Sequence, residues 1–468
     1  MDPAGPRVSP EPSFSSPVQI LHNGVVCTGG AEPEVLNGSA VAWSGDRIVA
    51  VGPEAELNER FAGAARLDAR GGMVLPGLID LHHHLYSAFA RGLAPATPPR
   101  DFGQVLDGLW WRLDRALSPE TVRLSALLGA ADCIRWGCTT LFDHHASPTC
   151  IRGSLSTIAE ALEEAGLSAV LCYEISDRNG HHEALAGLDE NLDFIAGHQD
   201  HPSLRGTLGL HASFTVSDET LDAIAERRPK GCGCHVHVAE DRLDLQVSEV
   251  AFGAAPIERL HRWGLLDERA LLVHGIHLTA ADRAVVADSS SVIVHCPESN
   301  ANNGVGRLDV ERVAAEGCTV ALGTDGMSSA MLRSLRAAVL GQRAGRRDPA
   351  AGFAACPHLM STNSLVARRF LNEPLLGEIE PGAPADLCVV DCPPPTPISA
   401  DNLFGHLVYG ASEAPVRHTI ARGRVLLEDF HHTTLDPLAI AEEARRAAPG
   451  LWERFHAVDP ARCDWLPI

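Results

Sequence analysis

The segment Leu78-Ile79-Asp80-Leu81-His82-His83-His84 ends an apolar, strand-prone run that begins at Met73 with a cluster of histidines. Alternate side chains of a strand share a face, so His82 and His84 point one way and His83 the other. Two imidazoles two residues apart at a strand end are spaced to hold one metal ion. Other apolar segments also end in polar residues: His211 after Leu208-Gly209-Leu210, His237 after His235-Val236, His274 after Leu271-Leu272-Val273, His295 after Val292-Ile293-Val294, and Asp325 after Gly323-Thr324. Taken singly, His274 reads as a satisfied core histidine and Asp325 as a turn. Apolar strands that each end in His, Asp or Glu are hard to explain as core packing.

These residues need a frame that brings strand ends together, and the middle of the chain supplies one. Ser118-Pro119-Glu120 caps a helix that runs to Gly137, and Thr139–Asp143 follows as a strand. Helices over Ser156–Ala165, Leu188–Ala196, from Ser217, Pro256–Trp263, Ala280–Ala287 and Val310–Glu316 each precede a short apolar strand. With the opening strand this makes eight, and alternating strands and helices at this length predict a parallel (β/α)8 barrel. The polar residues fall at the C-terminal ends of the strands, the face that carries catalysis in such barrels. Short alternating segments at Val18–Val51 and again at Ala385–Leu426, with turn signals at Asn23-Gly24 and Gly45-Asp46, predict a small β-sandwich built from both chain ends. The domains expected are a disordered tail over 1–17, the β-sandwich over 18–72 plus 378–440, the catalytic barrel over 73–377, and a C-terminal helical tail over 441–468.

Composition excludes several classes. The net charge is −22 and Lys230 is the single lysine. A nucleic acid is not expected as a partner, because phosphate contacts need clustered Lys and Arg. No apolar run approaches the roughly 20 residues that cross a bilayer, and the Pro- and Ser-rich start lacks the apolar core of a secretory signal. Thirteen cysteines without a repeating spacing read as reduced, mostly buried thiols of a cytoplasmic protein. The pair Cys232-Gly233-Cys234 lacks the further ligands of a second metal site.

The motifs Pro76-Gly77-Leu78-Ile79-Asp80-Leu81-His82-His83-His84, His237-Val238-Ala239-Glu240, Val273-His274-Gly275, His295-Cys296-Pro297-Glu298-Ser299-Asn300 and Gly323-Thr324-Asp325-Gly326 occur in the order of the amidohydrolase superfamily, which the chain resembles. The segment Gly377–Asp386 resembles that superfamily's structural return segment. Within the superfamily the likeness is to the guanine deaminase and chlorohydrolase-like branch and its SsnA-type aminohydrolases. It is carried further by His84-Leu85-Tyr86-Ser87, Leu109–Leu117, Asp143–Pro148, Gly153–Thr157 and Ser299–Gly306, and spans about Val18 to Pro449.

The resemblance implies a single metal held by His82, His84, His237 and Asp325, with Zn2+ expected, one per subunit, and Fe2+ as the alternative. It implies that Glu240 carries protons to the ring nitrogen and the departing amine, that Asp325 also takes the water's proton, that His274 steadies the attacking oxygen, and that His295 supports the site from behind. Dinuclear relatives carry a carbamylated lysine on the fourth strand. Lys230 lies in a loop before the His237 strand, so a mononuclear site and deamination are favoured. Relatives of this kind are often homodimers or larger.

For the substrate, the branch points to purine-like or related nitrogen heterocycles. Tyr86, Trp110, Trp111, Arg112, His144, Arg178 and His211 are the candidate contacts, with Glu174 and Asp177 also near strand ends. Trp110 and Trp111 offer flat surfaces for a ring, against packing of a loop onto the barrel. Arg178 suits a carboxylate or ring carbonyl, against a surface salt bridge. His211 resembles the branch's substrate-contact histidine, with Ser213 where the motif has Pro. His145, His181 and His182 read as surface or supporting groups. The expected activity is a metal-dependent aminohydrolase that acts on a small molecule and releases ammonia. The rivals are displacement of chloride or an alkylamine from an s-triazine-like ring, opening of a cyclic amide or amidine, and a barrel that has lost its chemistry.

Overall fold

The structure, a computed structural model, describes residues 16–95 and 97–466; the tail expected over 1–17 lies outside them except for its last two residues. Eight parallel strands follow one another in chain order: Leu78–His83, Cys138–His145, Ser168–Ile175, Leu208–Ala212, Cys234–Val238, Leu271–His274, Val292–His295 and Thr319–Leu322. Each pairs with the next. The eighth returns to the first, where the amides of Thr324 and Asp325 donate to the carbonyl of His82 at 3.0 and 2.8 Å. Asn363, on the helix Pro357–Leu371, clamps this seam: its side chain donates to the carbonyls of Ile79 and Leu322 and accepts from Leu322 N, each at 2.8 Å. The barrel is therefore closed, and its strands are buried on both faces, as their near-continuous Val, Ile and Leu content requires.

The helices start where the sequence caps them. Ser118 and Thr121 form a reciprocal capping box on Pro119–Arg135, and Ser217 accepts from Thr220 N at the start of Asp218–Arg227. Two expectations shift. The helix placed at Leu188–Ala196 spans His181–Gly197, which puts His182 in solvent and leaves His181 part-buried against Thr220 and Asp177. The crossover after His237 holds two helices, Arg242–Phe252 and Pro256–Arg262, where the pattern suggests one.

The run Met73–Ile79 is not one strand. Met73–Pro76 pairs antiparallel with Leu387–Val390 in the small β-domain, whereas Leu78–His83 joins the barrel. Gly77 is the crossing point. Its amide donates to Asp386 O at 2.8 Å on one side, while that of Leu78 donates to Gly137 O at 2.9 Å on the other. A Cβ at Gly77 would overlap the side chain of Thr139, so only glycine lets the chain pass. The β-domain comprises a four-stranded and a seven-stranded sheet drawn from both chain ends. Leu21, Val41, Trp43, Val74, Leu387 and Ile420 share one core in it.

The C-terminal helix Pro437–Ala457 lies against Pro119–Arg135 and Trp111–Ala116. The segment beyond it runs to the barrel mouth, where Cys463 and Leu466 pack with Phe102, Leu106 and Phe214. All thirteen cysteines are free, ten of them buried. No helix among the described residues is long and apolar enough to cross a membrane.

Candidate active site

Strand ends one, five and eight bring four side chains to one point. Ligand atoms of His82, His84, His237 and Asp325 all lie within 4.8 Å of one another. His84 Nε2 is 3.2 Å from His237 Nε2 and 3.1 Å from Asp325 Oδ1, and His82 Nε2 is 3.6 Å from Asp325 Oδ1. Their other nitrogens face partners that fix each ring. His84 Nδ1 donates to the carbonyl of His144 at 2.5 Å, and His237 Nδ1 to that of His211 at 2.6 Å. With Nδ1 protonated, the neutral ring presents the Nε2 lone pair to the centre. Burial, with neighbouring imidazoles, holds His82 and His237 well below the usual histidine range, which keeps these rings neutral. Burial acts to lower His84, but the hydrogen bond to Asp325, the charges of Asp325 and Glu174 and the hydrogen bond to His144 O together outweigh it and raise His84 to about 9. His84 thus holds a proton that a cation must displace. His82 Nε2 is buried with no hydrogen-bond partner among the described residues. An orphaned lone pair in a cradle of imidazoles and a carboxylate fits a divalent ion of the zinc type.

Next to this point lies a second cluster: Glu240, His274 and Asp325. His274 Nδ1 donates to Asn300 Oδ1 at 2.8 Å, and its Nε2, with no hydrogen-bond partner among the described residues, lies 3.4 Å from Glu240 Oε2 and 3.8 Å from Asp325 Oδ2. Ser299 Oγ donates to Asp325 Oδ2 at 2.5 Å, and Asn303 Nδ2 to Glu240 Oε1 at 3.3 Å. The two carboxyls are driven apart. Burial, then the charge of Asp325, pushes Glu240 well above the usual range, toward the protonated form. Burial acts to raise Asp325 too, but the imidazoles of His82 and His84 beside it, together with the charge of His84, hold it well below, as the anion. A proton donor and a base thus face one centre. Ala239, His274 and Asp325 have φ of 49°, 72° and 58°, left-handed backbone that is uncommon outside glycine and recurs at functional sites.

A cavity opens above these groups. Tyr86, Trp110 and His211 line it, together with Phe102, Leu106, Phe214, Glu174, Asp241, Asp244 and Asn303. The other sequence candidates do not reach it. Trp111 is buried in the core, because adjacent helical positions diverge by ~100° and only Trp110 turns to the cavity. Arg112 donates to Val458 O at 2.6 Å on the outside of the mouth. Arg178 forms a buried pair with Asp114 at 2.8 Å and lies over the Trp111 ring. His144 sits beneath the floor, with Nδ1 3.0 Å from Glu174 Oε1 and Nε2 3.0 Å from His235 O. His145, read as a surface or supporting group, is fully buried beside Tyr86 and Tyr173.

The His295-Cys296-Pro297-Glu298-Ser299-Asn300 motif acts through its end. Ser299 and Asn300 hold Asp325 and His274, whereas among the described residues no hydrogen bond joins the His295 ring to the site and its Nδ1 is unpartnered. His235 was not among the sequence candidates, yet its Nε2 lies 2.8 Å from His82 Nδ1. Its signal was the alternation of Cys234–Val238, which places it on the face of His237.

A closed parallel barrel with imidazoles and a carboxylate converging at its C-terminal mouth places the protein among the metal-dependent barrel hydrolases. The chain belongs to the amidohydrolase family, whose model matches residues 73–426. The 5-methylthioadenosine/S-adenosylhomocysteine deaminase of Pelotomaculum thermopropionicum is 29% identical over 445 residues, 93% of this chain and 99% of that one. Among solved structures, an adenosine deaminase from Xanthomonas campestris with bound zinc aligns with a TM-score of 0.80 at 24% identity, over 94% of this chain and 99% of that one. A triazine hydrolase from Arthobacter aurescens aligns with a TM-score of 0.78 at 22% identity, over 92% and 100%.

Proposed function

We propose that the protein is a mononuclear zinc-dependent aminohydrolase that replaces the exocyclic amino group of a purine-like heterocycle by oxygen and releases ammonia. The observation that carries this reading is the pairing of Glu240 and Asp325: two carboxyls driven to opposite protonation states beside one four-donor cradle. The deaminase relatives agree with it.

His82, His84, His237 and Asp325 would hold the ion. When bound, it supplies Lewis-acid activation of a water molecule near neutral pH. The chain's own residues do the rest. Asp325, already anionic, accepts the water's proton. His274, its Nδ1 fixed by Asn300, directs Nε2 at the attacking oxygen. Glu240 gives its proton to the ring nitrogen next to the carbon under attack. As the tetrahedral carbon collapses, the proton on Asp325 leaves with the amine and the proton of the new hydroxyl returns to Glu240. Ammonia departs, a carbonyl remains, and both carboxyls regain their starting states. Trp110 and the apolar wall of Phe102, Leu106 and Phe214 stack the flat ring and exclude water.

The test is ammonia release from zinc-loaded protein given adenosine, 5′-methylthioadenosine, guanine, isoguanine and amino-s-triazines. Ammonia from a purine is the expected result. Chloride or alkylamine from a triazine alone, or no release at all, would overturn the reading.

A further inference from the structure

The cavity has a wall rich in carboxyl groups. Glu174, Glu240, Asp241, Asp244 and Asp325 line it, and no arginine or lysine does among the described residues. The two nearby arginines are committed elsewhere, Arg178 to Asp114 and Arg112 to the carbonyl of Val458. Of the five carboxylates, Glu240 and Asp325 belong to the proton machinery. Asp244 accepts from Ala239 N at 2.6 Å, and Asp241 caps the helix Arg242–Phe252 through Leu243 N at 3.0 Å. Glu174 remains. It ends the third barrel strand with 5% of its surface exposed. Its Oε1 faces His144 Nδ1 at 3.0 Å, and Oε2 has no hydrogen-bond partner among the described residues. A carboxylate buried to 5% exposure that lines a ligand cavity, braced by a histidine, is placed to accept a ligand N–H.

We propose that Glu174 determines specificity: its Oε2 accepts an N–H from a compact, uncharged or cationic aminoheterocycle, and the cavity discriminates against ligands that carry a carboxylate or phosphate. This rests on the deaminase reading of the same site. The physical reason is subtractive as much as additive. An anionic substituent brought into this cavity loses its water, finds no arginine or lysine and meets the carboxyl groups of the wall.

The experiment uses zinc-loaded full-length protein with the Glu240→Gln substitution, which slows turnover so that binding can be read by calorimetry. The probes are matched pairs on one ring: 5′-methylthioadenosine against adenosine-5′-carboxylate, and adenosine against its 5′-monophosphate. The uncharged member should bind at least tenfold more tightly. Adding Glu174→Gln should weaken the uncharged member about tenfold and narrow the gap, with zinc content unchanged. Equal or tighter binding of the anionic member, an unchanged ratio in the Glu174→Gln protein, or no binding of either pair would overturn the proposal. The two readings fail separately. Rings that bind with the stated selectivity but yield no ammonia from the unsubstituted enzyme sink the deaminase reading alone. Ammonia release without the selectivity sinks this one alone.

Discussion

His82 and His235 meet edge to face, with Nδ1 of the first 2.8 Å from Nε2 of the second. For His82 to present its Nε2 lone pair to an ion, Nδ1 must carry the proton and His235 must accept it. His235 then keeps its own proton on Nδ1, 3.8 Å from Cys172 Sγ. The His82 ring is thus oriented by a second imidazole, where His84 and His237 use backbone carbonyls. His235→Phe removes the acceptor and should weaken zinc binding ~10–100-fold, the usual effect of losing such a partner. His235→Gln, which keeps an acceptor, should recover part of this. Chelator competition on the apo-protein measures both, and unchanged affinity in His235→Phe would show that the contact does not orient the ligand.

His237 supplies one of the four donors and closes the cradle against His84 at 3.2 Å. His237→Ala should lose stoichiometric zinc while the barrel stays folded. Metal analysis by mass spectrometry decides it, and a full zinc complement in that variant would move the site elsewhere.

Glu240 lies beside the cradle, 3.4 Å from His274 Nε2, and supplies none of its four donors. Glu240→Gln should keep zinc and lower kcat/KM by ~10²–10⁴-fold, the range for a placed proton-transfer group. Normal turnover in that protein would remove the proton-carrier role.

Arg178 and Asp114 form an ion pair in which each side chain is 2% exposed. Removing one member leaves a buried charge, so Arg178→Met should cost about 3–5 kcal/mol. The double variant Arg178→Met with Asp114→Leu should regain most of that. Urea unfolding followed by circular dichroism reads the difference. A single substitution that leaves stability intact but abolishes ligand binding would place Arg178 in the substrate site after all.

Asp386 ends the structural return segment and is fully buried. Burial raises its carboxyl to about 6 from the ordinary 3.8, against the hydrogen bond from Arg422 N. The folded state therefore binds the proton more tightly than the unfolded chain. The stabilisation linked to this group is fully present below pH 3.8 and is lost as pH rises through about 6. Above that, keeping the carboxylate charged costs about 3 kcal/mol. Asp386→Asn, which keeps the acceptor oxygen, should gain in melting temperature relative to the parent between pH 4 and pH 8. A difference that is flat with pH would show that Asp386 titrates normally.

The eight strands, their order and the polar residue at each strand end were legible in the sequence, because a strand buried on both faces must be apolar along its length and can turn polar only where it leaves the core. His82, His84, His237 and Asp325 followed from that rule and from family motifs. What the sequence left undecided depended on side-chain direction. Trp110 and Trp111 are equivalent as letters, and a ~100° helical step sends one to the cavity and the other to the core. Arg178 invited a ligand carboxylate until Asp114, 64 residues away in the chain, proved to be its partner. His235 and Asn300 bear on the site only through the rings they hold, His82 and His274, which come from other strands. Short-range pattern fixes which residues lie on which element. Only closure of the barrel, which joins Asp325 to His82 across 243 positions of chain, sets which of them share a charge, a proton or an ion.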